Sequence, residues 1–374
     1  MSESRFTISP LNILLIVVTG LLLVLLWQLR SLLLVLMISV VLASTLAPII
    51  RSAENLRIPR WLAVILVYLG LIAILTGIGL LIGPTVVEQI QRLFRKLPGY
   101  LDVLASLAEN LALRFGITEP QAIDLINQIF DIQSLTTWTF RSSQLLLVRS
   151  LGVTRGIIDA VFTLLLSVLL SGYMLSGSKT LIKGLVSLFP KPWDDRLEAQ
   201  VIPVSQKMGG YIQGRVLVSA ILGIAISVGL KFVGISEFAL GLGVIAAITN
   251  LIPFFGPVLG AIPALIVAIA QGGWVFLWVL LLFVVIQNVE TYVLDPLLVG
   301  SSVRVAPLYQ LLAVLGGAIV LGILGALIVP PWVAGASVLL ENLYLKPKLE
   351  AEKKAAELES VAVEEKPSTL SVKR

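Results

Sequence analysis

The chain has 374 residues, of which 57% are apolar and only 13% charged, and its mean hydropathy is +1.01. Soluble domains carry about 25% charged residues, whereas between residues 216 and 340 only Lys231, Glu237, Glu290, Asp295 and Arg304 are charged, so most of this surface must face lipid. The net charge of +5 is scattered through connecting segments, which excludes the basic stripe of a nucleic-acid binder, and the absence of both Cys and His removes disulfides, thiolate chemistry and the commonest metal ligand and general base; no enzymatic role, cofactor or metal site is expected.

Crossing about 30 Å of hydrocarbon takes about 20 apolar residues at about 1.5 Å each. Runs of that kind occupy residues 11–29, 32–50, 61–83, 157–175 and 216–234. The first is too long for a signal peptide, follows only Arg5 and is succeeded at once by a second span, so it reads as a retained helix. Residues 84–151 are more polar. Val87, Ile90, Leu93 and Leu97 recur there at helical spacing against Glu88, Gln91, Arg92, Arg95 and Lys96, and Leu101, Leu104 and Leu107 continue the pattern beyond Pro98. This segment reads as amphipathic helices on the membrane surface, either a covering or an interface between subunits of a homo-oligomer.

After the fourth span, residues 176–215 carry Trp193 and flanking basic residues, as an interfacial linker does. Basic residues outnumber acidic ones by three to one in residues 48–60 and by six to three in residues 176–215, while residues 84–151 hold six of each. Lys and Arg favour the cytoplasmic side, so the first two segments are expected inside, the third outside and the N-terminus inside. Lys231 reads as a snorkelling side chain, and Asp159 as the i, i+4 partner of Arg155.

The later half is irregular. Residues 238–271 would make a helix about 50 Å long, yet contain Pro253, Pro257 and Pro263; residues 307–340 are interrupted by Gly316, Gly317, Gly322, Gly325, Pro330 and Pro331. Each stretch either crosses with a break or doubles back, and the basic tail stays inside if both do the same. A helix broken at membrane depth survives only inside protein or beside a water-filled cavity, and paired broken segments point to a transport site. Asn250, Pro253, Phe254, Gly256, Pro257, Gly260 and Pro263 form the first break, and Gly322 and Gly325 mark the second; the alternative for both is kinking and close helix packing. In the connector between them, a helix would place Asn288, Tyr292 and Asp295 on one face and Gln287 and Glu290 on another, with Arg304 near enough in sequence to pair with either acid. Glu290, Asp295 and Arg304 are therefore candidates for ion or proton coupling, and Gln287 and Asn288 for substrate binding; an ion pair or helix-end solvation is the plainer alternative. Residues 346–374, with seven basic and six acidic side chains, read as a disordered tail or frayed helix.

Three segments give the chain a family resemblance. Gly210-Tyr211-Ile212-Gln213-Gly214-Arg215, the break from Asn250 to Pro263 around Ile252-Pro253-Phe254-Phe255-Gly256-Pro257, and Gln287, Glu290, Asp295, Pro296, Gly300 and Pro307 followed by Gly322-Ile323-Leu324-Gly325 together resemble the autoinducer-2 exporter family. The resemblance covers residues 11–345 and implies a polytopic inner-membrane permease with about eight membrane segments and a long segment between the third and fourth. Members of that family are associated with export of autoinducer-2, others with sodium/proton antiport. Ser176-Gly177-Ser178 and Ala306 depart from the family pattern, the latter where a His is frequent.

The expectation is thus an all-α polytopic membrane protein. Residues 1–83 hold three spans, 84–151 an amphipathic extramembrane segment, 152–175 the fourth span, 176–215 a cytoplasmic linker, 216–345 a membrane domain with broken helices and the transport site, and 346–374 a tail. Its function is secondary transport of a small polar solute or ion across the bilayer, since no Walker lysine motif offers ATP as the energy source. Cation/proton antiport and a non-transporting membrane scaffold are the alternatives.

Overall fold

A computed structural model describes residues 10–115, 150–299 and 306–364, and every element among them is helical. In chain order these are α1 (Pro10–Gln28), α2 (Arg30–Asn55), α3 (Arg60–Arg114), α4 (Ser150–Ser176), α5 (Ser178–Val186), α6 (Trp193–Val233), α7 (Ala239–Asn250), α8 (Phe255–Gln271), α9 (Gly273–Val289), α10 (Pro307–Leu340) and α11 (Lys346–Glu364). Two π-helical stretches, Glu290–Val299 and Glu341–Leu345, extend α9 and α10. Among the described residues, five helical stretches are long and apolar enough to cross a bilayer, or six if α4 and α5 are taken as one bent segment. Leu21, Leu80, Leu81, Leu169 and Ile319 lie exposed on the outside, as lipid-facing side chains should.

Helix α6 organises the rest. Met208, Tyr211, Arg215, Val218, Ser219, Leu222, Ile226 and Leu230 are buried along it at three- and four-residue spacing, forming one inward face. Glycines on this face let neighbours approach to backbone contact, the packing mode of helices in lipid. Gly209 meets the Ser44 backbone of α2, Gly214 meets the Leu298 carbonyl, and Gly223 meets Ala247 and the Gly243 carbonyl of α7. From Trp193 onward the linker and the fifth span of the sequence reading are therefore one continuous helix of 41 residues, while the first part of the linker forms α5 and a turn.

Helix α3 likewise does not end at residue 83. It runs for 55 residues through Pro84 and Pro98, about 80 Å at 1.5 Å per residue, so its second half is an arm beyond any single crossing. That arm rests on the α6–α7 corner. Gln89 Oε1 accepts the Gly241 N–H at 2.7 Å, Lys96 pairs with Glu237 at 2.7 Å, and Tyr100 stacks edge-on against Phe238. Gly241 is in the first turn of α7, where backbone donors lack partners within the helix, so the arm supplies a cap that α7 does not carry itself. Residues 116–149, the remainder of the expected amphipathic segment, lie outside the described residues, as do Arg304 and the side chains of Arg155 and Asp159.

Both overlong stretches of the later half double back. Helices α7 and α8 are 12 and 17 residues long, about 18 and 25 Å, and pack antiparallel: Gly256 abuts Thr249 and Asn250, and Gly260 abuts Ala246 and Thr249. In α10, Gly322 leaves helical geometry at φ 70° and ψ −157°. Gly317 and Gly325 then lie in backbone contact, although residues eight apart in a straight helix would stand about 12 Å apart. Of the two possibilities left open for each stretch, a broken crossing or a hairpin, the hairpin is what forms. Counting each hairpin once, α1, α2, the first half of α3, α4, the second half of α6, α7–α8, α9 and α10 are eight apolar segments. The tail begins as the helix α11, with Asn342 just before it donating to Gln200 Oε1 of α6 at 2.7 Å.

Candidate functional site

The tip of the α7–α8 hairpin is the proline-rich break, and it is a tight turn. Pro253 is buried, and Phe254 is one of two non-glycine residues at positive φ among the described residues. The N–H groups of Leu251, Ile252, Phe255 and Gly256 donate to the carbonyls of Ile248, Thr249, Pro253 and Ile252 at 2.8–3.3 Å. The turn thus satisfies the carbonyls of Ile248, Thr249, Ile252 and Pro253 internally, although Pro253 and Pro257 lack the N–H groups that would do so in a helix. What the tip offers instead is Asn250, the last residue of α7, whose side chain is 3% exposed and points toward α6 and the end of α9.

There it joins a buried polar network. Asn250 Nδ2 donates to Glu290 Oε1 at 3.0 Å and to Ser219 Oγ at 3.5 Å, while Asn250 Oδ1 accepts from Arg215 Nη2 at 3.5 Å. Arg215 Nη1 pairs with Glu290 Oε1 at 3.0 Å and with Asp295 Oδ1 at 3.5 Å. Arg215, Glu290 and Ser219 are at most 5% exposed, whereas the Asp295 side chain is 41% exposed. Charges this deep are tolerated only when paired. One guanidinium faces two carboxylates, and its Nε is buried without a hydrogen-bond partner.

The π-helical stretch Glu290–Val299 brings both acids to one arginine. Along an α-helix at 3.6 residues per turn, residues five apart diverge by about 140°, which is why the sequence reading put Glu290 and Asp295 on different faces. An i→i+5 ladder returns Asp295 to nearly the side of Glu290. Gly214 allows the stretch to seat directly on α6, and Val299 packs there with Tyr211 and Val218. The partner that both acids meet among the described residues is Arg215, which comes from a helix 75 residues earlier in the chain than Glu290.

Asp295 faces a cleft of about 810 Å³ between the hairpin, the end of α9 and the start of α10. Of the residues singled out from sequence, Pro253, Phe254, Pro257, Gln287, Asn288, Glu290 and Asp295 line it, joined by Arg215, Thr291, Phe283 and Gln310. Asn250 sits behind, beside a small void shared with Pro257, Gln287 and Glu290. Gly256 and Gly260 pack α8 on α7, Pro263 lies within α8, and Gly322 and Gly325 form the second hairpin; none of these lines the cleft. Gln310 Nε2 donates to Tyr211 Oη at 3.2 Å, tying α10 to α6 at the rim. Arg215, Ser219, Tyr211 and Gln310 were missed as site residues. For Arg215 a signal existed: it heads the apolar run of the fifth span, but was counted among the basic residues of the linker.

A helical protein that packs a buried ion pair beneath a re-entrant hairpin, and opens it to a polar-tipped cleft, has the build of a membrane transporter. The profile described as AI-2E family transporter matches residues 11–345, and the chain belongs to this family. It is 30% identical over 287 residues to the Bacillus subtilis protein named "Putative transport protein YueF", covering 76% of each chain. Against "Putative transport protein YrrI" of the same organism it is 27% identical over 308 residues, covering 82% of this chain and 84% of that one. A Haemophilus influenzae "Putative transport protein" is 24% identical over 312 residues, covering 82% and 85%. The resemblance drawn from the three sequence segments is borne out, and the protein is an integral membrane transporter in contact with the bilayer.

Proposed function

We propose that the cleft below the α7–α8 hairpin is the transport site of a secondary permease that exports a small polar solute, autoinducer-2 being the solute that the family's name suggests. The observation that carries this reading is the Asn250–Arg215–Glu290 network, buried behind a cleft into which Asp295 still reaches. Gln287 and Asn288 offer the hydrogen bonds that a hydroxylated solute needs, and Asn250, expected to bind it directly, instead holds Glu290 and Arg215 in place from behind. Pro253, Phe254 and Pro257 supply an apolar wall, and Gly256, Gly260 and Pro263 shape the hairpin that carries it. Gly322 and Gly325 give the second hairpin, whose first arm supplies Gln310 and Pro307. Glu290 and Asp295 share the Arg215 guanidinium, so charge arriving at Asp295 competes for the same partner; this is the coupling role assigned to them, and to Arg304 by its place in the sequence. Both termini are placed in the cytoplasm by the basic segments, in a bacterial inner membrane.

Uptake of labelled autoinducer-2 into inside-out membrane vesicles tests the assignment. Asn250→Ala and Glu290→Ala are expected to lower the initial rate at least tenfold at matched protein level and unfolding midpoint. Unchanged rates in both variants would sink it. A second reading, cation/proton antiport, is favoured by the excess of carboxylates over guanidinium in the cleft. It predicts sodium-driven proton movement that vanishes in Asp295→Asn, with no autoinducer-2 flux in the unaltered protein. Introduced single cysteines test the orientation, since the chain has none of its own.

A further inference from the structure

A second cleft of about 490 Å³ lies beneath the bend between α4 and α5, against α2 and the first half of α6. The two helices meet at 84°, so if α4 crosses the bilayer, α5 lies along its surface. Leu181, Ile182, Leu185 and Val186 of α5 face the cleft, and Ala43 and Ala47 of α2 line it opposite. Lys179 and Lys183, one turn apart, lie to the side of that apolar face, as on helices that rest at the headgroup level. Arg51 and Arg60 also line the cleft. Arg60 is committed: its Nε donates to the Leu175 carbonyl at 2.8 Å, Nη2 to Ser178 Oγ at 2.8 Å, and Nη1 pairs with Glu54 at 3.3 Å. Arg51 is exposed and makes no ion pair among the described residues.

We propose that this cleft binds one anionic phospholipid, with an acyl chain beneath α5 and the phosphate at Arg51. The volume falls in the range of about 300–1,000 Å³ found for small-molecule sites, and the lining is mostly apolar, with Ser44, Ser178, Gln200, Ser205 and the two arginines as its polar members. Charge selects the headgroup. The segments framing the cleft, residues 48–60, 176–186 and 197–208, carry Arg51, Arg57, Arg60, Lys179, Lys183 and Lys207 against Glu54 and Glu198. That is a net +4 from six basic residues and two acids, a balance that attracts anionic lipid and leaves a zwitterionic headgroup without advantage. A free phosphate would use the arginine and leave the apolar cleft empty, so both halves of the site must be engaged for tight binding.

Native mass spectrometry of the full chain in detergent micelles tests this with dioleoyl-phosphatidylglycerol and dioleoyl-phosphatidylcholine as probes. One phosphatidylglycerol is expected to stay bound after bulk detergent is removed, with phosphatidylcholine at least tenfold weaker. Arg51→Gln, on an exposed and unpaired side chain, should weaken retention about fivefold, the effect of one basic residue at a lipid surface, without altering the unfolding midpoint. Dihexanoyl-phosphatidylglycerol and glycerol 3-phosphate should not compete at equal concentration. Equal retention of the two dioleoyl lipids, unchanged retention in Arg51→Gln, or displacement by glycerol 3-phosphate would each overturn the proposal.

Discussion

Replacing Arg215 should cost more stability than replacing Glu290, although the two form one ion pair. In Arg215→Met, the stem keeps its apolar packing but Glu290, 3% exposed, is left with the Asn250 amide as its remaining partner. Breaking a buried pair from one side costs about 3–5 kcal/mol because the other charge stays behind unpaired. Asp295 adds little, being half-solvated, and removal of the unpartnered Arg215 Nε relieves part of the cost, which brings the expectation to about 3 kcal/mol. In Glu290→Gln the shape and an acceptor for Asn250 and Arg215 survive, and Arg215 retains Asp295 at 3.5 Å, so about 1 kcal/mol is expected. The double variant should be more stable than Arg215→Met alone, because no buried charge is then left unpaired; the coupling should exceed about 1 kcal/mol. Reversible unfolding in mixed SDS micelles, followed by tryptophan fluorescence, measures all three. Equal costs for the single variants, or simple additivity in the double, would refute the reasoning.

Gly322→Ala should destabilise the fold by about 1–3 kcal/mol, since its backbone lies where essentially only glycine rests, even though a Cβ there meets open space; Gly316→Ala, also in open space but in helical geometry, is the matched control and should be neutral in the same unfolding measurement. Gly214→Val should cost about 1–3 kcal/mol by overpacking and lower vesicle flux as well, because its side chain would collide with the Leu298 carbonyl and lift the stretch carrying Glu290 and Asp295. Gln89→Ala should cost about 1 kcal/mol, the worth of a lost helix cap, and speed amide exchange at Gly241 specifically. Beside it, the hydrogen bond to Glu237 holds the Lys96 ammonium above the ordinary lysine range. The stabilisation from a raised pKa is present below the unfolded value and lost only as pH rises through the folded one, so Glu237→Gln should speed amide exchange at the α6–α7 corner equally at pH 6 and pH 9.

The class of protein, its helical character and the position of the breaks follow from the sequence, because in lipid each of these has a local cause. Apolar runs must be helical to satisfy their own backbone, and the Pro and Gly clusters around Pro253 and Gly322 mark where a helix can break, although Pro84, Pro98 and Pro263 stand inside helices. Asn250, Glu290 and Asp295 were legible as unusual for the same reason: polar side chains in or beside apolar stretches. Whether each broken stretch crossed or turned back was not legible, since that depends on which neighbour receives Gly256, Gly260, Gly317 and Gly325. Nor was the site's central cation. Arg215 meets Glu290 across 75 residues of sequence, and the two acids converge on it only because the chain after Val289 winds as a π-helix against Gly214. Helical periodicity fixes which side chains share a face of an ideal helix; the winding of that helix and the partner it meets are set by packing, which joins parts of the chain that no local pattern connects.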